Sequence, residues 1–327
     1  MRCWVAACFV LLFGAVGAGA ADKVNFGLDW KAEAEYGGYY QALATGIYAR
    51  HGLDVTIHEG GPQINHMQLL IAGRLDFNLG GGRAIEFAQE GLPFVAVAAI
   101  FQKELATLLA HPGQGNDNFA ALKGKPIMLG ADTRNGWWRF LAGKYGYSDA
   151  QIRPYTFNLA PFLADKKAVQ QGYISSEPFL MRQAAGIDPV VLALSDAGYQ
   201  GYANIITTSA KLVANNPDLV QRFITASIEG WYAYLYGDPG PANRMIRQIN
   251  PDMPQDLIDF GRQTMIGRGI VDSGDALSLG IGAMTDARWK AFYDSMVAVG
   301  VYKAGIDLAK AYTTRFVNQR AGMGAKN

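Results

Sequence analysis

Apolar positions in the opening stretch of the chain change period twice. Val24, Phe26 and Leu28 form a short apolar run that closes on Asp29-Trp30. Beyond a polar gap, Tyr36, Tyr39, Tyr40, Leu43, Ile47 and Tyr48 recur at helical spacing, and Gly52 follows as a stop. Leu53, Val55 and Ile57 then alternate with polar residues as a strand does. Strand, helix and strand joined by short links predict a right-handed parallel unit. In such units ligands sit past the carboxyl ends of the strands, facing helix N-termini. Asp29, Trp30, Glu33, Glu35 and Tyr36 occupy that position.

The alternation continues. The pattern predicts a helix over 63–72 and a strand over 75–79 that runs into Gly80-Gly81-Gly82-Arg83. A helix over 84–90 ends at Gly91, and strands follow over 94–101 and 106–110. Composition turns to Gly, Asn and Asp over 113–118, where a first crossing between two halves is expected. A second set predicts strands over 126–129, 153–157, 173–175 and 190–194, with helices over 135–145, 162–171 and 177–185. A strand over 202–208 returns to the first half. The rest reads as helical. Ser209 caps one helix, Asn216-Pro217 opens another with a continuous apolar face, and more follow over 242–249, 255–267 and 287–299. Alternating strands and helices define an α/β class.

Asp29-Trp30 ahead of Gly38-Tyr39-Tyr40, followed by GIYARHGLDVTI at 46–57, resembles the opening of the NMT1/THI5-like substrate-binding proteins. The likeness continues through LLIAGRLDFNLGG at 69–81 and more loosely to the end. That group includes periplasmic receptors for thiamine pyrimidine precursors and is related to receptors for sulfonates such as taurine. The resemblance implies a two-lobed periplasmic-binding-protein fold of the second type with a helical C-terminal extension. It also implies a partner permease of an ABC transporter. On this reading 1–20 is a leader, 21–110 and 204–327 make the first lobe with its C-terminal helices, and 111–203 makes the second.

Charge and cysteine usage narrow the function. Outside Arg2, basic and acidic side chains number 28 each, which argues against nucleic acid and against an electrostatic membrane patch. Arg2, the apolar stretch 5–16 and Ala18-Gly19-Ala20 fit a cleaved export signal, hence a periplasmic protein. The alternative, an N-terminal anchor, needs about 20 apolar residues, more than are present. Cys3 and Cys8 both lie in the leader, so the mature chain offers no disulfide, thiolate nucleophile or thiolate metal ligand. Neither GxGxxG nor GxxxxGK occurs, and Ala276-Leu277-Ser278-Leu279-Gly280 lacks the first glycine of a hydrolase elbow. His51, His58, His66 and His111 never pair at helical spacing and read as surface or helix-end positions. No cofactor or metal is implied.

Aromatic residues near strand ends and helix starts are the candidate ligand contacts. Trp30 can stack on a planar solute, and Tyr36 begins the next helix. Gly81 and Gly82 let backbone N–H groups approach a ligand, with Arg83 beside them. Thr133, Arg134 and Trp137 occupy the equivalent turn of the second half. Asn158 and Glu177 follow predicted strands, and Glu177 can accept from an amino group. Tyr199 and Tyr202 flank Gly201 at the return crossing, where a phenol can clamp a ligand as the halves close. Each has a packing, capping or solvated alternative. The leading expectation is a monomeric receptor for a small planar heteroaromatic solute. A sulfonate or aromatic carboxylate held by Arg83 or Arg134 is the alternative ligand, and a lyase-type enzyme on the same scaffold the alternative class.

Overall fold

The structure is a computed structural model that describes residues 20–61, 64–80 and 83–326. The expected leader, except its last residue, and Gly81 and Gly82 lie outside the described residues. The strands are β1 (Asp22–Gly27), β2 (Leu53–His58), β3 (Phe77–Gly80), β4 (Phe94–Phe101), β5 (Ala106–Ala110), β6 (Ile127–Leu129), β7 (Ile152–Pro154), β8 (Val169–Tyr173), β9 (Val190–Ala193) and β10 (Ala203–Ser209). They form two five-stranded sheets, ordered β2-β1-β3-β10-β4 and β7-β6-β8-β5-β9. The plan repeats. In each sheet three strands run parallel, and a strand from elsewhere in the chain inserts antiparallel next to them: β10 beside β3 and β4, β5 beside β8 and β9.

The first crossing lies earlier than composition placed it. β5 belongs to the second sheet, so the chain changes sheet within 102–105, between Phe101 and Ala106. The polar run at 113–118 is a turn inside the second half. Strand membership is decided by distant partners, here β8 and β9, and local composition carries no trace of them. The end of the first crossing is held to the second half on both sides: Ile174 N, just past β8, donates to Leu105 O, and Leu194 N, just past β9, to Ala106 O, both at 3.1 Å.

Two helices also differ from the pattern. The helix after Tyr36 is split into Gly37–Ala44 and Ile47–Arg50 by Gly46, whose φ of 71° is left-handed. The helix expected over 162–171 is only Ala160–Ala164, and Val169–Tyr173 is strand. Val169 and Gln170 are buried in β8 between β5 and β6, so sheet pairing overrides a weak helical pattern. His111 is neither exposed nor at a helix end: it is buried, stacks on Phe162 and has Nε2 2.8 Å from the Phe162 carbonyl. Among the described residues no helix is long and apolar enough to cross a membrane.

The C-terminal helices brace the first sheet. Pro217–Tyr236, the longest helix, buries Phe223, Trp231 and Tyr234 among others. Phe223 stacks on Phe77 of β3, with centroids 4.1 Å apart. Gly38 faces the Trp231 ring and Gly37 the Tyr234 ring, so closely that a Cβ on either would sit 2.2 Å from a ring atom. A Cβ on Gly230 would lie 2.3 Å from the Gly38 carbonyl oxygen. This contact fixes the helix Gly37–Ala44, and with it the position of Glu35 and Tyr36 just ahead. Gly230→Ala is therefore expected to lower the unfolding free energy by roughly 1–3 kcal/mol. Urea denaturation followed by circular dichroism measures it, and an unchanged midpoint would mean that the helices have room to spare.

Candidate functional site

The turn after β1 is held by a close backbone approach. Leu28 N donates to His58 O at 2.8 Å, and Gly60 N to Trp30 O at 2.9 Å. A Cβ on Gly60 would meet the Asp29 carbonyl group at 2.4–2.5 Å, so only glycine fits there. Asp29 and Trp30 are thereby aimed past the carboxyl end of the sheet. The 3-10 turn Ala34–Tyr36 then brings Glu35 and Tyr36 round to the same side. The Tyr36 hydroxyl donates to Asp29 Oδ1 at 2.7 Å.

The second half supplies the opposite wall. Asp29, Glu35, Tyr36, Phe101, Glu104, Leu105, Tyr173, Ala203 and Asn204 line a crevice of ≈ 420 Å³ that is open to solvent. Its contributors come from both sheets and from the first crossing. Ser175, just beyond β8, donates its hydroxyl to Glu35 Oε1 across the gap. Asn204 Nδ2 donates to the Glu35 carbonyl at 3.1 Å, while its Oδ1 accepts from the Tyr39 hydroxyl at 2.5 Å. Beside Asp29, the ring of Trp30 meets that of Phe157 with centroids 4.6 Å apart.

Carboxyl groups dominate the electrostatics. Burial pushes Glu33 well above the usual carboxylate range, and Glu35, Glu177 and Asp29 add to that by like-charge repulsion. Burial carries Glu35 up to about 7, against the opposing hydrogen bond from Ser175. Burial also raises Glu104 and Glu177, although each accepts a backbone hydrogen bond that favours its charged form. Glu177 Oε2 accepts from Tyr173 N at 2.7 Å, and Glu104 Oε1 from Ala106 N at 3.1 Å. None of the lining residues is Lys, Arg or His. Among the described residues no cluster of His, Cys, Asp or Glu is arranged to hold a metal.

Of the residues the sequence singled out, Tyr36 lines the crevice, while Trp30 follows the lining Asp29 and Glu177 accepts from the backbone of the lining Tyr173. Thr133 is buried and donates to Gln171 Oε1 at 2.9 Å, beside the second sheet. Trp137 packs on the core at the start of the helix Trp137–Tyr145, and Arg134 is exposed on the preceding turn. Asn158 accepts from Ala160 N at 2.9 Å in an exposed local turn just ahead of the helix Ala160–Ala164. Arg83 is exposed and paired with Glu86 at 2.9 Å, so its charge does not reach the crevice lining. Tyr199 is buried edge-on between Phe140 and Phe292. The Tyr202 hydroxyl donates to Asp275 and accepts from Thr285 N, with Arg288 over its ring. Both tyrosines at the return crossing are thus committed to packing, because the C-terminal helices cover the side of the crossing that a bare hinge would expose. Sequence reasoning missed Glu104, Asn204 and Phe157 as contributors. Glu104 carried a signal, a lone acid in the short link between two apolar strands. Asn204 and Phe157 carried none.

The architecture defines the class: two sheets of this order, crossed twice by the chain, are the periplasmic-binding-protein fold of the second type. The chain belongs to the NMT1/THI5-like family, which residues 33–242 match. It is 25% identical over 305 residues to the riboflavin-binding protein RibY of Chloroflexus aurantiacus, covering 90% of this chain and 86% of that protein. It superposes on the periplasmic aliphatic sulphonate binding protein SsuA of Escherichia coli with a TM-score of 0.66 and 13% identity, over 89% of this chain and 91% of that one. It also superposes on the desulfurization enzyme DszB, with a TM-score of 0.58 and 13% identity, over 90% and 97% of the two chains.

The raised Glu35 carboxyl has a consequence for stability. Its folded value of about 7 lies above the ordinary 4.5, so between those values the folded chain holds a proton that the unfolded chain has lost. Stability therefore falls as pH rises through that window and stays reduced above about pH 7. The effect is on the order of 3 kcal/mol. In Glu35→Gln the loss of stability between pH 5 and pH 8 is expected to be smaller than in the wild type, as read from thermal melts. Parallel pH profiles for the two proteins would show that Glu35 titrates normally.

Proposed function

We propose that the chain is a periplasmic solute receptor that captures a planar, nitrogen-bearing heteroaromatic molecule between its two lobes. A pyrimidine of the thiamine-precursor kind fits this description. It delivers the solute, unchanged, to an ABC permease and acts as a monomer. The observation that carries this reading is the crevice lining: Asp29, Glu35 and Glu104 with Tyr36, Phe101 and Tyr173, and no basic side chain. Carboxylates accept from ring-attached amino groups and favour a cationic ring nitrogen. Aromatic walls supply stacking faces. A sulfonate or carboxylate solute would bring a further negative charge to desolvated acids, and the two arginines considered for it are directed elsewhere.

A second reading has its own support. A buried carboxyl near neutrality is what acid–base catalysis uses, and Glu35 answers to that description. The fold is shared with an enzyme, and fold does not fix function. Incubation separates the two readings: a receptor returns its solute intact, whereas an enzyme consumes it, and Glu35→Gln would stop consumption while leaving binding.

The direct test is a thermal-shift panel of 4-aminopyrimidines, flavins, alkanesulfonates and aromatic acids on the mature chain, with native mass spectrometry for any co-purifying solute. A solute at 100 times its dissociation constant adds about 2.7 kcal/mol. Aminopyrimidines are expected to raise the melting temperature and alkanesulfonates to leave it unchanged. Stabilisation by the sulfonates alone would overturn the reading.

A further inference from the structure

Phe157 is placed where the packing of its own half gives it little reason to be. It follows β7 with φ at 58°, a left-handed conformation that bulky residues rarely adopt. Its side chain is 44% exposed, one of the few large apolar groups on the surface. Its ring contacts are Tyr155, at 5.1 Å within its own half, and Trp30, at 4.6 Å from the other half. Backbone strain of this kind persists where the surroundings impose it, and ligand clamps are among the recurrent places.

The neighbourhood connects this ring to the acids. The Tyr155 hydroxyl points to Glu177 Oε1 at 3.5 Å, and Glu177 is anchored by Tyr173 N. Trp30 is fixed by the Gly60 hydrogen bond and adjoins Asp29. Two aromatic faces, one from each half, therefore meet next to the acids: Trp30 follows Asp29, and Phe157 packs on Tyr155, which faces Glu177. They meet at 48°, neither stacked nor edge-on. A flat solute between them needs about 3.5 Å on each face, roughly 7 Å in all. The centroids would separate by only ~2.5 Å to admit it, the kind of small displacement that hinge opening of two lobes provides.

We propose that Phe157 is the second lobe's half of an aromatic clamp, which exchanges its contact with Trp30 for one face of a flat heteroaromatic solute. The proposal rests on the receptor reading and deepens it, since the clamp would select for two π faces and give an alkyl solute nothing. Trp30 is the fixed jaw and Phe157 the jaw that travels with the second lobe. The strained backbone aims the ring across the gap instead of into its own core.

Phe157→Ala, Phe157→Leu and Phe157→Gly in the mature chain test this, with 4-amino-2-methylpyrimidine and riboflavin as probes, by calorimetric titration and thermal melts without ligand. Phe157→Ala is expected to weaken binding of an aromatic probe about tenfold, and Phe157→Leu by less. Phe157→Gly relieves the left-handed strain, so it should melt at or above the wild-type temperature and yet bind as poorly as Phe157→Ala. Wild-type affinity in both the Ala and Gly variants would overturn the clamp while leaving the receptor reading in place. Loss of affinity that tracks a fall in melting temperature across all three would overturn it too, because the ring would then serve the fold. A wild-type protein that binds neither probe overturns the ligand class and the clamp with it.

Discussion

Acidic groups gathered at one gap, with no cation among the residues that line it, are the constraint on which the arrangement turns. Bringing like charges together away from water is costly unless each is hydrogen-bonded or protonated. The structure meets that cost from several directions. Tyr36 serves Asp29, Ser175 serves Glu35, Tyr173 N serves Glu177 and Ala106 N serves Glu104. The donors belong to three different parts of the chain: the turn after β1, the end of β8 and the start of β5. Ser175 is the telling one, because it comes from the second sheet and reaches a carboxyl carried by the first. The approach of the two halves and the protonation of Glu35 are therefore linked: parting the halves removes the Ser175 hydrogen bond and exposes the acid to water.

The C-terminal helices take part in this as well. The glycine contact with Trp231 and Tyr234 fixes the helix Gly37–Ala44. Tyr39, on that helix, bonds Asn204, and Asn204 in turn bonds the Glu35 carbonyl. Asn204 itself has φ at 47°, at the first residues of the returning strand. One residue thus ties the helix, the return crossing and the acid-bearing turn together. The rigid part of the site belongs to the first half, and the second half contributes Ser175, Glu177, Tyr155, Tyr173 and Phe157 as a group that can move with its sheet.

The sequence was most legible where the signal was local. The opening strand, helix and strand, the Gly91 stop, the Ser209 and Asn216 caps and the helix 177–185 follow from periodicity and capping residues, and the structure has each of them. The placement of Trp30 and Tyr36 at the carboxyl end of β1 followed from the same local reading. What could not be read was non-local. The transfer of β5 to the second sheet depends on partners 59 to 67 residues downstream in β8 and 80 to 86 in β9. The burial of Tyr199 and Tyr202 depends on Phe292, Asp275 and Thr285. Nor does a string of residues reveal that Glu33, Glu35, Glu104 and Glu177, spread over more than 140 positions, are all raised by burial.

The burial of these acids also bears on how a solute would close the gap. A ligand can only shift the balance between open and shut forms by as much as its affinity differs between them. For an amino-bearing heteroaromatic the difference is large, because the shut form offers acceptors from both halves and a second aromatic face. Each N–H group it places against a carboxylate replaces a proton or a water that the acid otherwise needs. An anion would find no Lys, Arg or His among the lining residues as the gap shut. On the proposed reading, recognition and closure would be driven by the same groups: buried acids whose pairing with a donor would hold the gap shut.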